Sequence, residues 1–309
     1  MTIAPYLKII GRGKAGARAL DRLQARDLMQ RILGGQVSDL ELGAFALAMR
    51  IKGETPDELA GFVDAAQSHS LALSSDAPAI LLPSYNGARK LPNFTPLLAL
   101  LLAREGVPVL VHGLTSDPGR VTSAEVFQAL DLPPVADAAG VRARWSQGLP
   151  AFLPLEQLNP ALARLLAVRR VLGLRNPGHT IAKILPALPQ ALQVVNYTHP
   201  EYAHSLADYQ RLIGGDAMLM RGTEGEPVAD CRRLPRFDVY LDGELQPQFS
   251  REPEEGSLLT LPLLPDGIDA AVTARHIEAV LSGQQSAPAP ILEQARCLLA
   301  AQGAMTVRG

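Results

Sequence analysis

AILLPSYNGARKLPNFTPLLALLLAREGVPVLVHG, residues 79–113, contains two short apolar runs that flank a longer one. Residues 79–82 and 107–111 have the length and composition of buried strands, whereas residues 95–104 are long enough for a helix. A strand, a helix and a second strand in this order are typical of a βαβ unit with parallel strands. The segment therefore predicts an α/β domain with a mainly parallel sheet.

The same alternation of strands and helices continues toward the C-terminus. Residues 222–270 interrupt it, because they are rich in Pro, Gly and acidic residues, and they predict loops with an edge strand. The other predicted elements are strands at 151–153, 192–195 and 217–220, helices at 123–130, 160–173, 271–282 and 290–302, and a helix that begins at Thr198-x-x-Glu201.

The N-terminal 70 residues show a different pattern, with apolar residues at helical spacing. Residues 18–33 predict one helix. Ser38-x-x-Glu41 and Thr55-x-x-Glu58 are capping boxes, in which each side chain bonds the backbone N–H of the other residue, and they predict the start of two more. Short amphipathic helices bury their apolar faces against one another, so this region predicts a small helical bundle.

The length of the chain and this change of pattern predict two domains. A chain of 309 residues with 47% hydrophobic residues can bury more than one core. We expect a linker near residues 69–77. The predicted domains are an N-terminal helical domain, residues 1–72, completed by helices within residues 155–175, and an α/β domain, residues 73–309.

The sequence lacks the features of secreted and membrane proteins. The N-terminal segment has no apolar core of a signal peptide, and no apolar stretch is long enough to span a bilayer. The two cysteines, Cys231 and Cys297, match neither a metal-ligand spacing nor a disulfide framework. These features predict a cytoplasmic protein with no membrane partner.

Charge is unevenly distributed although its sum is only −2. Residues 1–35 contain seven Lys and Arg against two acidic residues, and residues 141–183 contain seven against one. Residues 236–309 contain five Arg against ten acidic residues. Segregated charge produces a local field even in a nearly neutral chain, so the two basic segments are candidates for anion binding. The two basic segments are equally consistent with helix faces exposed to solvent, which is what a run of charged residues usually indicates.

The loops that follow the first two predicted strands are the place to look for a site. Ligands of open parallel sheets collect at the carboxyl ends of the strands. The first loop, residues 83–90, contains Asn86-Gly87, and the second begins with His112-Gly113. Asn86-Gly87 also fits an ordinary tight turn, and a strand-end histidine also fits a hydrogen-bonded structural role.

Motifs along nearly the whole chain resemble the anthranilate phosphoribosyltransferase family. They are Gly53-Glu54-Thr55-x-x-Glu58-Leu59, Asn93-x-Thr95, Val111-His112-Gly113, Asn159-Pro160-Ala161 and Arg169-Arg170-x-Leu172-Gly173-x-Arg175. The YbiB-like branch of that family is more similar still, through Ile10–Lys14, Pro83–Arg89 and Leu174–Lys183. The resemblance implies the family's two-domain fold, and the branch implies a dimeric, sequence-nonspecific nucleic-acid binder.

Three departures from the enzymes' pattern concern the substrate. Transferases of the family have a Gly-Thr-Gly-Gly-Asp loop where residues 84–89 stand here, and only Gly87 remains of those glycines. They hold Mg²⁺ with an adjacent Asp-Glu pair, whereas this chain has Glu224 and Glu226 in alternation. The late Asn-Ala-Ala signature is replaced by Gln294-Ala295-Arg296. The departures predict weak or absent transferase activity and no cofactor.

We therefore expect a homodimer that pairs through its helical domain and binds DNA or RNA without sequence preference. The expected nucleic-acid-binding residues are Lys8, Arg12, Lys14, Arg18, Arg22, Arg89, Lys90, Arg169, Arg170, Arg175 and Lys183. The expected remnant of the substrate cleft is formed by Ser84, Asn86, Gly87, Asn93, Thr95, His112, Gly113 and Arg169. No catalytic residue and no metal ligand is assigned.

Two alternatives stay open on the sequence. The first is a transferase that uses phosphoribosyl pyrophosphate, which would need Mg²⁺ and for which the retained residues of the cleft would line the substrate. The second is a ligand-sensing or scaffolding protein that keeps the cleft without the reaction.

Overall fold

The structure, a computed structural model, describes residues 2–308 apart from the side chains of Lys14, Val307 and Arg308. Its helices are α1 (Ala4–Ile10), α2 (Gly13–Gly16), α3 (Arg22–Leu33), α4 (Asp39–Lys52), α5 (Pro56–Gln67), α6 (Thr95–Arg104), α7 (Ser123–Ala129), α8 (Ala138–Ser146), α9 (Leu155–Leu158), α10 (Pro160–Ala167), α11 (Arg169–Leu172), α12 (Gly178–Ile184), α13 (Glu201–Ile213), α14 (Ala270–Leu281) and α15 (Ala289–Arg308). Its strands are β1 (Ala79–Ser84), β2 (Val109–Gly113), β3 (Ala151–Pro154), β4 (Ala191–Tyr197), β5 (Ala217–Arg221), β6 (Phe237–Leu241) and β7 (Glu244–Leu245).

The chain divides into two compact units, each built from two stretches of sequence. The helical unit comprises residues 1–71 and 155–187, and the α/β unit comprises residues 72–154 and 188–309. The second stretch of the helical unit therefore continues past residue 175, the end of the range expected from the sequence, and includes α12. No helix among the described residues combines the length and apolar character that a bilayer crossing requires.

Capping boxes start the three main helices of the helical unit. Ser38 and Thr55 act as predicted at the N-termini of α4 and α5. The predicted helix 18–33 is shorter than expected, because a third capping box, Asp21 with Gln24, starts α3 at Arg22. Helices α1 and α2 precede it and were not predicted.

The core of the helical unit depends on close packing of α3 against α5. Gly61 allows it, since a Cβ atom there would lie 2.3 Å from the carbonyl oxygen of Arg22. The buried rings of Phe45 and Phe62 meet edge to face, with centroids 6.1 Å apart. A buried carboxylate, Glu58, accepts hydrogen bonds from Lys52 at 2.6 Å and from the backbone of Leu20 at 3.0 Å.

Residues 155–187 join the helical unit through amide side chains. Asn159 caps α10 and donates to the carbonyl oxygen of Ala66 at 2.8 Å. The single helix predicted for residues 160–173 is wrong in detail. Helix α10 ends at Ala167, and the separate turn of α11 stops at Gly173, whose φ of 69° is accessible to glycine at little cost.

The α/β unit contains one sheet with the strand order β3-β2-β1-β4-β5-β6-β7. The first five strands in this order are parallel, and β6 and β7 are antiparallel at one edge. The predicted fold class, a small helical bundle with a larger and mainly parallel α/β domain, is confirmed. Buried aliphatic side chains on the sheet, α6 and α15 form its core.

Two local predictions in the α/β unit need correction. Helix α13 begins at Glu201 after Pro200, and Thr198 does not cap it; proline suits a helix start because it lacks the N–H that would be unsatisfied there. Helix α8, which Asp137 caps, was not predicted. The indole N–H of Trp145, on α8, donates a hydrogen bond to the carbonyl oxygen of Val109 at 2.9 Å, which connects α8 to β2.

Candidate functional site

Pairing of β1 with β2 brings the two predicted site loops together. Ser84 lies opposite Gly113 and Pro83 opposite His112 at the carboxyl ends of the strands. Only glycine fits at position 113, because a Cβ atom there would lie 1.7 Å from the carbonyl oxygen of Ser84. The loop after β1 therefore starts from a fixed position beside His112.

The loop after β1 turns at Gly87 and is held by the segment before α7. Gly87 has a φ of 69°, and a Cβ atom there would lie 3.0 Å from the carbonyl oxygen of Val121. Ala88 and Val121 exchange two backbone hydrogen bonds of 2.8 and 2.9 Å. Arg120 donates to the carbonyl oxygen of Gly87 at 3.1 Å. The loop is therefore rigidly supported, and its backbone N–H groups have fixed directions.

These N–H groups bind a carboxylate of the same chain, Glu226. One carboxylate oxygen, Oε1, accepts from the backbone N–H groups of Asn86 and Gly87, both at 2.8 Å. The other, Oε2, accepts a very short hydrogen bond from the hydroxyl of Ser84. Glu226 is 1% exposed, so these donors replace water around a buried anion.

A shell of small polar side chains completes the surroundings of Glu226. Ser123 and Thr95 direct their hydroxyls to Oε2 at 3.3 and 3.4 Å. The hydroxyl of Ser84 lies 2.7 Å from the hydroxyl of Ser123. Asn93 orients the shell, since its carbonyl oxygen accepts from the backbone N–H of Thr95 at 3.2 Å. All four side chains are buried.

Glu224 caps the next part of the same loop. Its Oε2 accepts from three successive backbone N–H groups, those of Arg89, Lys90 and Leu91, at 2.8, 2.9 and 3.2 Å. Burial opposes ionisation of this carboxyl, but the three N–H groups outweigh it and hold the pKa of Glu224 below its usual value. Successive N–H groups that converge in this way form an anion-binding nest.

A tight turn aims both glutamates at the loop. Glu224 and Gly225 have φ values of 53° and 89°, and Thr223 and Glu226 form an isolated antiparallel bridge. Gly222 permits the turn, because a Cβ atom there would lie 2.1 Å from the carbonyl oxygen of Glu226.

Gln294 forms hydrogen bonds with the backbone that follows this turn. Its Oε1 accepts from the N–H of Ala229 at 2.8 Å, and its Nε2 donates to the carbonyl oxygen of Pro227 at 3.0 Å. The residue that replaces the family's late asparagine signature therefore holds the glutamate turn in place, a role that the sequence analysis did not assign.

His112 is buried and neutral beside Tyr85. Burial lowers the pKa of His112 to about 3. The hydroxyl of Tyr85 lies 2.7 Å from Nδ1, and Nε2 has no hydrogen-bond partner among the described residues.

The carboxylates of this site do not fit a magnesium ion. A hard cation needs carboxylate oxygens that are free to face it, whereas Glu224 and Glu226 direct theirs at N–H and hydroxyl donors. Within residues 2–308, no group of three or more His, Cys, Asp or Glu side chains could hold a metal ion.

The predicted cationic residues are divided between the two units. Arg89 and Lys90 lie in the α/β unit and are exposed, next to the anion-binding loop. The others lie in the helical unit: Lys8 on α1, Arg12 before α2, Lys14 within α2, Arg18 between α2 and α3, Arg22 on α3, Arg169 and Arg170 on α11, Arg175 after it, and Lys183 on α12. The side chain of Lys14 lies outside the part that the structure describes.

Salt bridges neutralise only part of the cations in each unit. Arg22 is engaged, since it binds Asp64 through two hydrogen bonds of 2.7 and 2.9 Å. Eight other cations of the helical unit are exposed and form no salt bridge with any described residue: Lys8, Arg12, Arg18, Arg26, Arg50, Arg164, Arg169 and Arg170. In the α/β unit, salt bridges engage Arg211, Arg232, Arg233, Arg236, Arg251 and Arg296. The exposed cations of that unit that form no salt bridge with any described residue are Arg89, Lys90, Arg104, Arg142, Arg221 and Arg275.

Comparison with known proteins agrees with this architecture. Residues 4–70 match the helical bundle domain of a glycosyl transferase family. The crystal structure of anthranilate phosphoribosyltransferase from Thermus thermophilus superposes with a TM-score of 0.72 at 21% identity, over 94% of this chain and 87% of that one. The enzyme from Saccharomyces cerevisiae, in complex with PRPP and Mg, gives a TM-score of 0.65 at 14% identity, over 99% and 95%.

Sequence relatives are more informative than these fold similarities. The chain is 40% identical over 308 residues to the uncharacterized protein YbiB of Escherichia coli K12, and the aligned region covers 98% of this chain and 95% of that protein. It is 30% identical over 281 residues to the anthranilate phosphoribosyltransferase of Methanopyrus kandleri, and the aligned region covers 86% of this chain and 80% of that enzyme. Together with the helical bundle and the parallel sheet, these relatives show that the chain belongs to the anthranilate phosphoribosyltransferase family, on its YbiB-like branch.

Proposed function

We propose that this protein binds nucleic acids without sequence preference and has weak or no transferase activity. The observation that carries the proposal is the set of exposed cations in the helical unit that have no acidic partner among the described residues. A cation that is already paired gains little from a phosphate, whereas an unpaired one can exchange its counterion for a phosphate group.

The best-placed contacts are the two adjacent arginines of α11. Arg169 and Arg170 are both exposed, and the following Val171 is exposed over 86% of its surface. Guanidinium groups suit phosphate oxygens because they donate two parallel hydrogen bonds. Contacts of this kind position a nucleic acid and carry no sequence information. Binding is therefore expected to be electrostatic and tolerant of sequence.

The occupied loop after β1 argues against the transferase alternative. Phosphate groups bind proteins through convergent backbone N–H groups, and here those groups are engaged by Glu224 and Glu226. Two fixed carboxylates at this position would also repel a diphosphate. Isothermal calorimetry of the wild-type protein with phosphoribosyl pyrophosphate and Mg²⁺ tests this part, and heat at micromolar affinity would restore the transferase alternative.

We infer that the homodimer expected from the family uses an apolar groove of the helical unit. The groove, of about 350 Å³, lies along α4, and Leu7, Ile10, Ala44, Leu47, Ala48 and Ile51 line it. Leu47 and Ile51 are exposed over 50% and 55% of their surface, which is unusual for large apolar side chains on one helix face. Light scattering after gel filtration tests this: Leu47→Asp should yield a monomer, and an unchanged mass would remove this surface from the proposal.

Fluorescence anisotropy with two unrelated oligonucleotides, titrated over a range of salt concentrations of roughly 50–300 mM, tests nucleic-acid binding directly. Affinity should be similar for both sequences and should fall as salt rises. The double variant Arg169→Ala/Arg170→Ala should reduce the slope of log K against log salt by about 1.5, since each phosphate contact contributes roughly 0.7–0.9.

The matched control removes the same charge from the α/β unit. Arg221→Ala/Arg275→Ala deletes two exposed arginines of β5 and α14 that form no salt bridge with any described residue, and it should leave the slope unchanged. The proposal is wrong if wild-type affinity does not respond to salt. Equal effects of the two double variants would show that net charge, and not the helical unit, governs binding.

A further inference from the structure

The loop after β1 and its polar shell have the composition of an oxyanion site. The donors are two backbone N–H groups, of Asn86 and Gly87, and the hydroxyls of Ser84, Thr95 and Ser123. All are neutral, all are buried, and all converge on one carboxylate. An anion held by neutral, preorganised donors and without a salt bridge is the usual arrangement of a phosphate or sulfate site.

We propose that Glu226 is the resident anion of this site, so that the protein carries an oxyanion site closed by its own side chain. Removal of the carboxylate then opens a site for a phosphate-class anion. The proposal does not depend on nucleic-acid binding, because the donors of the site are backbone N–H groups and neutral hydroxyls and not the exposed cations.

The hydrogen bonds of Glu226 show that it fills the site completely. Oε1 accepts hydrogen bonds from two backbone N–H groups, and Oε2 accepts hydrogen bonds from hydroxyl groups. Neither oxygen is therefore left for a cation or a water-bridged ligand. Glu226 forms no salt bridge with any residue in the described range 2–308. A second anion could therefore enter only if this carboxylate left.

The turn that carries Glu226 has supports that do not depend on the carboxylate. Gln294 binds the backbone of Ala229 and Pro227, and the hydroxyl of Thr223 donates to the carbonyl oxygen of Val228 at 2.8 Å. A variant that lacks only the carboxylate should keep the turn and the loop after β1 near their present positions. The donors would then face an empty space of the size of the deleted side chain.

The test compares Glu226→Ala with the isosteric Glu226→Gln. Alanine removes the occupant, whereas glutamine keeps its shape and presents one oxygen to the N–H groups of Asn86 and Gly87. Thermal unfolding is followed with inorganic phosphate or acetate up to about 20 mM, at an ionic strength kept constant with chloride. Binding of phosphate is measured by calorimetry in the same buffers, without nucleic acid.

We expect both anions, at about 20 mM, to raise the unfolding temperature of Glu226→Ala by on the order of 5 °C, and not to raise that of wild type or Glu226→Gln. Glu293→Ala, which removes a surface carboxylate of the same unit, should behave as wild type. Wild type that binds phosphate as tightly as Glu226→Ala would overturn the proposal. So would a folded Glu226→Ala that responds to phosphate no more than the Glu293→Ala control.

A variant that fails to fold in chloride still gives an answer. Glu226→Ser, which adds one hydroxyl to the empty site, is the second variant for that case. If either variant folds when refolded with phosphate or acetate, the anion has replaced the carboxylate as proposed. If neither variant folds with any anion, the carboxylate is a structural residue and not a replaceable ligand.

Discussion

The buried neutral histidine of the site predicts how the stability of the α/β unit responds to acid. Burial lowers the pKa of His112 in the folded protein to about 3, against about 6.5 in an unfolded chain. The unfolded state therefore binds a proton more readily. The stabilising effect of the neutral ring is complete above about pH 6.5 and is lost as the pH falls from about 6.5 toward 3.

The size of the effect follows from these two pKa values. Between pH 7 and pH 5 the unfolded chain gains about 0.7 proton at this position and the folded chain gains almost none. The linkage relation then gives a loss of about 2 kcal/mol of unfolding free energy. The control is His112→Asn, because an asparagine amide can form a hydrogen bond with the hydroxyl of Tyr85 in place of Nδ1 but does not titrate.

Urea unfolding at pH 7, 6 and 5 measures this difference. Trp145 is the only tryptophan of the sequence and its indole is bonded to β2, so its fluorescence reports on the α/β unit that contains His112. Wild type should lose about 2 kcal/mol more than His112→Asn, a midpoint shift on the order of 1 M urea. Burial and nearby cations lower the pKa of His179 to about 4, but this histidine is present in both proteins and cancels. Parallel pH profiles of the two proteins would refute the reasoning.

Two further predictions concern residues that packing makes irreplaceable. Glu58→Ala leaves its buried partner Lys52 uncompensated and should lower the free energy of urea unfolding by about 3–5 kcal/mol. Gln24→Ala removes the matching half of the exposed capping box of α3 and should lower it by only about 0.5–1 kcal/mol. Equal losses for the two variants would contradict the reasoning. Gly113→Ala should greatly reduce the yield of soluble folded protein, because its Cβ would collide with the carbonyl oxygen of Ser84, whereas Gly43→Ala on the open face of α4 should stabilise by about 0.5–1 kcal/mol. A Gly113→Ala protein that melts like wild type would show that the strands can separate.

Local patterns predicted the elements of this protein well. The capping boxes at Ser38 and Thr55 start helices as expected, because a capping box is a contact between residues three positions apart. The fully buried strands were equally clear, since parallel strands covered on both faces are continuous apolar runs. The start of α13 was misplaced because Pro200 competes with Thr198 for the same helix end.

The predictions about function depended more than those about secondary structure on contacts between residues far apart in the sequence. The sequence located the loop after β1 and noted the loss of its glycines, and it noted that Glu224 and Glu226 alternate. It assigned no role to these glutamates, which in the structure bind backbone N–H groups. The reason is that the direction of a backbone N–H group depends on φ and ψ, which no residue type specifies by itself.

The amino-acid order alone was sufficient for the helical bundle, the mainly parallel sheet and the segregation of basic residues, because each rests on periodicity or composition within a short window. Folding added what the order cannot express: Glu226 reaches Ser84 across 142 residues of sequence, and Arg22 meets Asp64 across 42. Which charges are neutralised, and which anion occupies the site, are set by such pairs. They form only when strands and helices bring distant segments within hydrogen-bond distance.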